Sequence, residues 1–193
     1  MFVKSLIAAT LAGLASAAPL VARQETIDTV GIIAIHSTSP IHLSAVSENG
    51  LKFWVRKETA TYCPTVVEQC PTGNTTQLVL SASSETVSLN TVVPGGQQAY
   101  IASDGSLSAT QAHSGNIGTG TRTPFEYTPQ AGPGRVGVVQ FNNTEFTACP
   151  SAEDANVYQV FALGYSGYVA GEACINIALG TAIVESTPVW QYI

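Results

Sequence analysis

The sequence predicts an all-β fold: a single domain of about a dozen short antiparallel strands with little helix. Three observations carry that reading. Short β-favouring runs recur along the chain, separated by Gly, Pro, Asn and Ser. Several runs alternate apolar and polar residues, as in Val87-Ser88-Leu89-Asn90 and Leu107-Ser108-Ala109-Thr110, which gives one face to a core and one to water. Beyond the N-terminal segment, no stretch sustains the i, i+3, i+4, i+7 apolar pattern of a helix for three turns.

The elements follow in order. Val30 to Ile35 is continuously apolar and reads as a strand covered on both faces. Ile41 to Val46 and Leu51 to Val55 flank Ser47-Glu48-Asn49-Gly50, so Asn49-Gly50 is expected as the two-residue turn of an antiparallel hairpin. Further strands are expected at Gln77 to Leu80, Val87 to Val92, Ala99 to Ala102 and Leu107 to Gln111. A region rich in Gly, Thr and Pro from Ser114 to Pro133 reads as loops with a short strand at Phe125 to Tyr127. Strands at Val136 to Phe141, Tyr158 to Leu163, Cys174 to Ala178 and Ala182 to Val184 complete the set, with one helical turn near Ala152 to Asn156. No internal repeat has a fixed period, and periodicity alone does not choose between a β-barrel and a two-sheet sandwich.

The N-terminus reads as targeting rather than fold. Lys4 precedes an apolar run from Leu6 to Leu14, and Ala15-Ser16-Ala17 supplies small residues for cleavage, the pattern of a secretory signal peptide over residues 1–17. The run is about half the ~20 residues that a membrane-spanning helix needs. Residues 18–28 are an unpatterned, flexible lead-in, and the β domain spans 29–193. The tail from Ser186 to Ile193 is not a hydrophobic lipid-anchor signal. The expected destination is extracellular, without membrane insertion.

Four cysteines follow the signal: Cys63, Cys70, Cys149 and Cys174. On a secretory route an even count reads as disulfides, with three possible connectivities. Neighbour pairing is favoured, Cys63 with Cys70 across a short loop and Cys149 with Cys174. The rival reading, a zinc site, lacks close CxxC pairs. Two sequons, Asn74-Thr75-Thr76 and Asn142-Asn143-Thr144, lie beside turn residues and are expected to carry N-glycans at Asn74 and Asn142.

Charge narrows the function. Seven cations face 13 anions for a net charge of −6, and charged residues are only 10% of the chain. The cations are scattered, which argues against a nucleic-acid partner. Ser and Thr together supply 38 of 193 residues, so the surface is hydroxyl-rich. Catalytic signatures are weak. His36 and His42 are separated by Pro40, which breaks strand register, and His113 is remote, so no metal site and no cofactor are expected. Gly164-Tyr165-Ser166-Gly167-Tyr168 does not fit G-x-S-x-G. Glu58, Glu126, Glu145, Asp154 and Glu172 are candidate carboxylates for glycoside hydrolysis, yet they sit beside turns and polar residues as solvated acids do. Sugar binding without catalysis would draw on Trp54, Tyr62, Tyr165, Tyr168, Trp190 or Tyr192.

Several strings together resemble a known family. They are Val30 to His42, Val93-Pro94-Gly95-Gly96-Gln97-Gln98-Ala99-Tyr100-Ile101, Ser108 to Ser114, Phe146-Thr147-Ala148-Cys149-Pro150 and Tyr158-Gln159-Val160-Phe161-Ala162. They resemble the small secreted fungal glycoproteins called cell wall protein phiA, also described as IgE-binding proteins, over nearly all of the chain after residue 29. These are packing and turn strings, and the family offers no catalytic residues to carry over. The strings around Cys63-Pro64 and Cys70-Pro71 depart from the family. The resemblance implies a non-enzymatic, wall-associated protein tied to asexual spore development (conidia, phialides), with allergens among its members. Cell wall polysaccharide or wall proteins are the implied partners, or IgE. The alternatives are a secreted elicitor recognised by a host receptor, and an enzyme acting on wall carbohydrate.

Overall fold

The computed structural model describes residues 26–165 and 168–193. The signal peptide, the first part of the lead-in and Ser166 and Gly167 of the Gly164–Tyr168 string lie outside them.

The strands are β1 (Ile27–Ile35), β2 (Val46–Asn49), β3 (Lys52–Val55), β4 (Thr61–Tyr62), β5 (Gln77–Ser81), β6 (Val87–Leu89) and β7 (Gln98–Ile101). They continue as β8 (Leu107–Ala109), β9 (Phe125–Thr128), β10 (Gly137–Phe141), β11 (Phe146–Pro150), β12 (Tyr158–Ala162), β13 (Ile175–Ile183) and β14 (Gln191–Tyr192). No helix occurs among the described residues; the segment expected to be a helical turn, Ala152–Asn156, is a bend at Ala152-Glu153 followed by a turn at Ala155-Asn156, where the Asp154 carboxylate accepts the Asn156 N–H at 2.8 Å. An Asp side chain that satisfies the backbone two residues on competes with helix formation.

Strand pairing closes on itself. From β1 the ladder runs β5, β6, β7, β8, β3, β12, β11 and β13, and β13 then pairs β1 from Val30↔Ile183 to Ile35↔Ala178. Every ladder between strands is antiparallel. β2 attaches to β3, β10 and β9 extend from β13, and β14 pairs β4 as a separate ribbon. Of the two architectures left open by periodicity, the pairing is that of a barrel, in which the main circuit has no free edge.

Period-two alternation fills the interior. Val30, Ile32 and Ala34 of β1 point inward with Leu78 and Leu80, Phe53 and Val55, Val160 and Ala162, Phe146 and Ala148, and Ile177 and Leu179, in one continuous core. β1 is not equally covered on its two faces. Its outward residues Ile33 and Ile35 are half-buried and lie over Gly180 of β13, where a Cβ would sit 2.4 Å from Ile35 Cδ1. That glycine makes room for a neighbour inside a nine-residue strand rather than ending it, which is why two short strands were expected where β13 is one.

The first hairpin differs from expectation by one residue. Ile41–Ala45 is a hook of turns that buries Ile41 completely, and β2 begins at Val46. Asn49 pairs Lys52, so the turn is Gly50-Leu51, both at positive φ (68° and 58°). Tertiary ties set this position. Asn49 Nδ2 donates to Glu58 O, Trp54 Nε1 donates to Asn49 O at 2.8 Å, and Gly50 N donates to Ile193 O.

Candidate functional site

The outward faces of β3, β12 and β11 form one surface. Trp54 is paired with Gln159, Gln159 with Cys149, and Phe161 with Thr147, so period-two alternation places these side chains together outside the barrel. Phe161 stacks on Tyr168 with centroids 4.7 Å apart and planes 5° from parallel. The Tyr168 hydroxyl lies 2.8 Å from Cys149 Sγ, and its partial burial pushes the phenol pKa up. Lys57 Nζ sits 4.4 Å over the Trp54 ring. Between them lies a shallow depression of about 380 Å3 lined by Trp54, Lys57, Pro150, Glu153, Gln159 and Phe161 among others. Gln159 Nε2 is shielded from solvent and has no hydrogen-bond partner among the described residues. Aromatic faces bordered by the polar side chains of Lys57 and Glu153 suit a sugar ring, which offers apolar C–H faces and hydroxyl edges.

The bridges frame this surface. Cys149 at the end of β11 is joined to Cys174, which precedes β13, and the two strands are already paired at Ala148↔Ile175. Cys63 is joined to Cys70 in the loop between β4 and β5, outside the barrel circuit. Both sequon asparagines are exposed. Their threonines are not free: Thr76 Oγ1 accepts the Glu48 N–H at 2.7 Å, and Thr144 Oγ1 donates to Phe141 O and Leu163 O.

The other candidates separate. His36 and His42 meet, but as a backbone cap, with the His36 N–H donated to His42 Nδ1 at 3.2 Å. Among the described residues no three His, Cys, Asp or Glu side chains cluster to hold a metal. Glu58, Glu145, Asp154 and Glu172 are exposed, and the half-buried Glu126 carboxylate accepts the Asn143 N–H at 3.3 Å. Tyr192 is fully buried in the core, while Tyr62 is exposed on the β4–β14 ribbon.

The acid that the structure singles out is Glu48, which the sequence places in a turn. It is 0% exposed, and neither carboxylate oxygen has a geometrically good hydrogen-bond partner among the described residues. Burial pushes its pKa up to about 8, opposed only weakly by the nearby Leu51 N–H, so it is a neutral carboxylic acid at physiological pH. Close by, Tyr192 Oη accepts the Gln77 N–H at 3.0 Å and donates to Thr75 O at 3.1 Å. Burial pushes that phenol up to about 12; the Gln77 N–H opposes the shift and Glu48 adds to it. Thr76, Gln77, Gln97 and Thr110, all buried, extend this polar layer beneath the C-terminal strand. An apolar-run search does not find such a layer, since each member is a polar residue inside or beside a strand.

A closed β domain with two disulfides defines the class: a small, disulfide-bonded secretory-route protein. A family model described as PhiA-like secreted protein matches residues 30–193, and the chain belongs to that family. It is 36% identical over 151 residues, 74% of each chain, to a protein of the fungus Arthroderma benhamiae described as an uncharacterized secreted protein. No solved structure matches it. The chain is thus a secreted protein of a fungal family.

Proposed function

We propose that this protein is a non-enzymatic glycoprotein of the fungal cell wall, retained there by polysaccharide contacts of the Trp54–Gln159–Phe161 surface. The observation that carries the reading is that surface itself: the aromatic rings of Trp54 and Phe161 beside an open depression of about 380 Å3. Such a floor binds neutral sugar through ring stacking and hydrogen bonds, with no demand for a reactive group. Support comes also from the family and from the low charge, which leaves a hydroxyl-rich exterior. Glycans at Asn74 and Asn142 and a role in asexual sporulation belong to the same reading.

Co-sedimentation with insoluble β-glucan, chitin and mannan tests it. Retention on at least one polymer, reduced several-fold by Trp54→Ala, supports the proposal; no retention on any polymer overturns it. Release of soluble sugar from those polymers would replace it with an enzymatic reading.

A further inference from the structure

A second depression lies elsewhere on the barrel, and its chemistry differs from that of the aromatic surface. It has a volume of about 370 Å3, within the usual range for small-ligand sites. The turn before β7 forms one wall, the segment after β8 the second, and the loop carrying Arg122 the third. Distant parts of the chain thus meet here: Gly95 and Gly96, then His113 and Ser114, then Arg122.

The walls expose backbone and cation. Gly95 and Gly96 have φ of 87° and 62°, and no atom lies within 4 Å of where a Cβ would stand on either, so a ligand can approach the bare main chain. His113 is exposed and has φ of 61°, an uncommon conformation for a non-glycine residue. The guanidinium of Arg122 donates from Nη2 to Gly115 O, which folds the loop back and positions the group. Arg122 Nε is shielded from solvent and has no hydrogen-bond partner among the described residues. Nor does a carboxylate neutralise it: the ion pair found among those residues is Lys52 with Asp104. The Nε–H is thus an unsatisfied donor at the edge of the depression, which an oxyanion seated there would satisfy.

The geometry points to a binding site for an oxyanion, a phosphate or a carboxylate, held by Arg122 with His113, Ser114 and the Gly95-Gly96 main chain beside it. The site shares no lining residue with the Trp54 surface, and it does not depend on the wall reading.

Amide and Arg Nε–H resonances of the isotope-labelled, disulfide-intact protein, titrated with mannose 6-phosphate, glucuronate and glucose in separate arms, test the proposal. The expected result is saturable shifts of Gly95, Gly96 and Arg122 Nε with one or both anionic sugars and none with glucose. Response to the phosphate alone identifies a phosphate group as the ligand, response to glucuronate alone a carboxylate, and response to both a general oxyanion site. Arg122→Gln should weaken binding at least tenfold and His113→Gln severalfold, with Arg135→Gln as the exposed-cation control and each fold checked by its amide spectrum. No shift with either anion, an equal response to glucose, or unchanged affinity in a folded Arg122→Gln protein would overturn it.

Discussion

The Gln97 side chain pairs with the backbone of Tyr192 as a strand neighbour would. Its Oε1 accepts the Tyr192 N–H at 2.8 Å and its Nε2 donates to Tyr192 O at 3.1 Å, while the same Nε2 reaches Thr110 O at 2.7 Å. Residues 95 positions apart are thereby joined, and the C-terminal ribbon is sealed onto the turn before β7. Gln97 and Tyr192 are both buried, so no water can replace these bonds without opening the fold.

Gln97→Ala is therefore expected to be strongly destabilising. It leaves buried donors and acceptors unsatisfied at about 1–3 kcal/mol each. At about 2–4 °C per kcal/mol for a domain of this size, a fall of roughly 10 °C in Tm is the expected outcome of thermal unfolding. Gln98→Ala, one residue on and half-buried, should lower Tm by much less.

Glu48 gives the protein a pH dependence of definite sign. Below 4.5 both folded and unfolded states hold the proton, and the group has no effect on the slope. Between 4.5 and about 8 the folded state keeps the proton that the unfolded state has released. Unfolding free energy then falls as pH rises, by about 1.4 kcal/mol per unit from this group, and levels off above the folded pKa. Glu48→Gln should remove this component. Urea unfolding at pH 5 and pH 8 should give a variant whose advantage over the parent grows with pH.

The two bridges differ in what they close. In the chain-entropy picture the Cys149–Cys174 link, with a separation of 25 residues, contributes about 3.5 kcal/mol, and the Cys63–Cys70 link, with a separation of seven, about 2.4 kcal/mol. Cys149→Ser with Cys174→Ser should also loosen Tyr168, whose hydroxyl lies against Cys149 Sγ. Near-ultraviolet circular dichroism should change for that double variant and stay close to native for Cys63→Ser with Cys70→Ser.

Gly105 controls the same aromatic stack from beneath. Its φ is 83°, and a Cβ there would lie 2.7 Å from Tyr168 Cβ. Gly105→Ala combines a left-handed backbone with this clash, so a loss of about 1–3 kcal/mol is expected on urea unfolding. Polysaccharide retention should fall with it, because Phe161 loses its stacking partner.

Much of the barrel was legible in local pattern. Alternation in Val87–Leu89 and Leu107–Ala109 marked β6 and β8, although Ser108 and Thr110 are buried rather than turned to water, and the apolar run after Val30 marked β1. Closure was not legible, because it rests on the pairing of β1 with β13, about 150 residues away, and pairing partners leave no local signature. The turn slipped by one residue since contacts from Glu58, Trp54 and Ile193, rather than intrinsic turn preference, fix Asn49 and Gly50. Within the candidate surface, Trp54 and Tyr168 were visible as aromatics, but their shared face depends on strand register. Tyr192 and Glu48 carried the opposite lesson: an aromatic read as a sugar contact and a turn acid are both completely buried, drawn in by the polar layer around Gln77 and Gln97.

Binding to the polysaccharide of the wall is best measured on purified fungal wall. Native protein and a folded Trp54→Ala/Phe161→Ala variant would be incubated with wall stripped of its own proteins, and the bound fraction measured after washing. Saturable retention of the native protein and a loss of at least tenfold in the variant are expected if the aromatic surface holds the protein in the wall. Equal retention of the two proteins, or recovery of both in the wash, would contradict it.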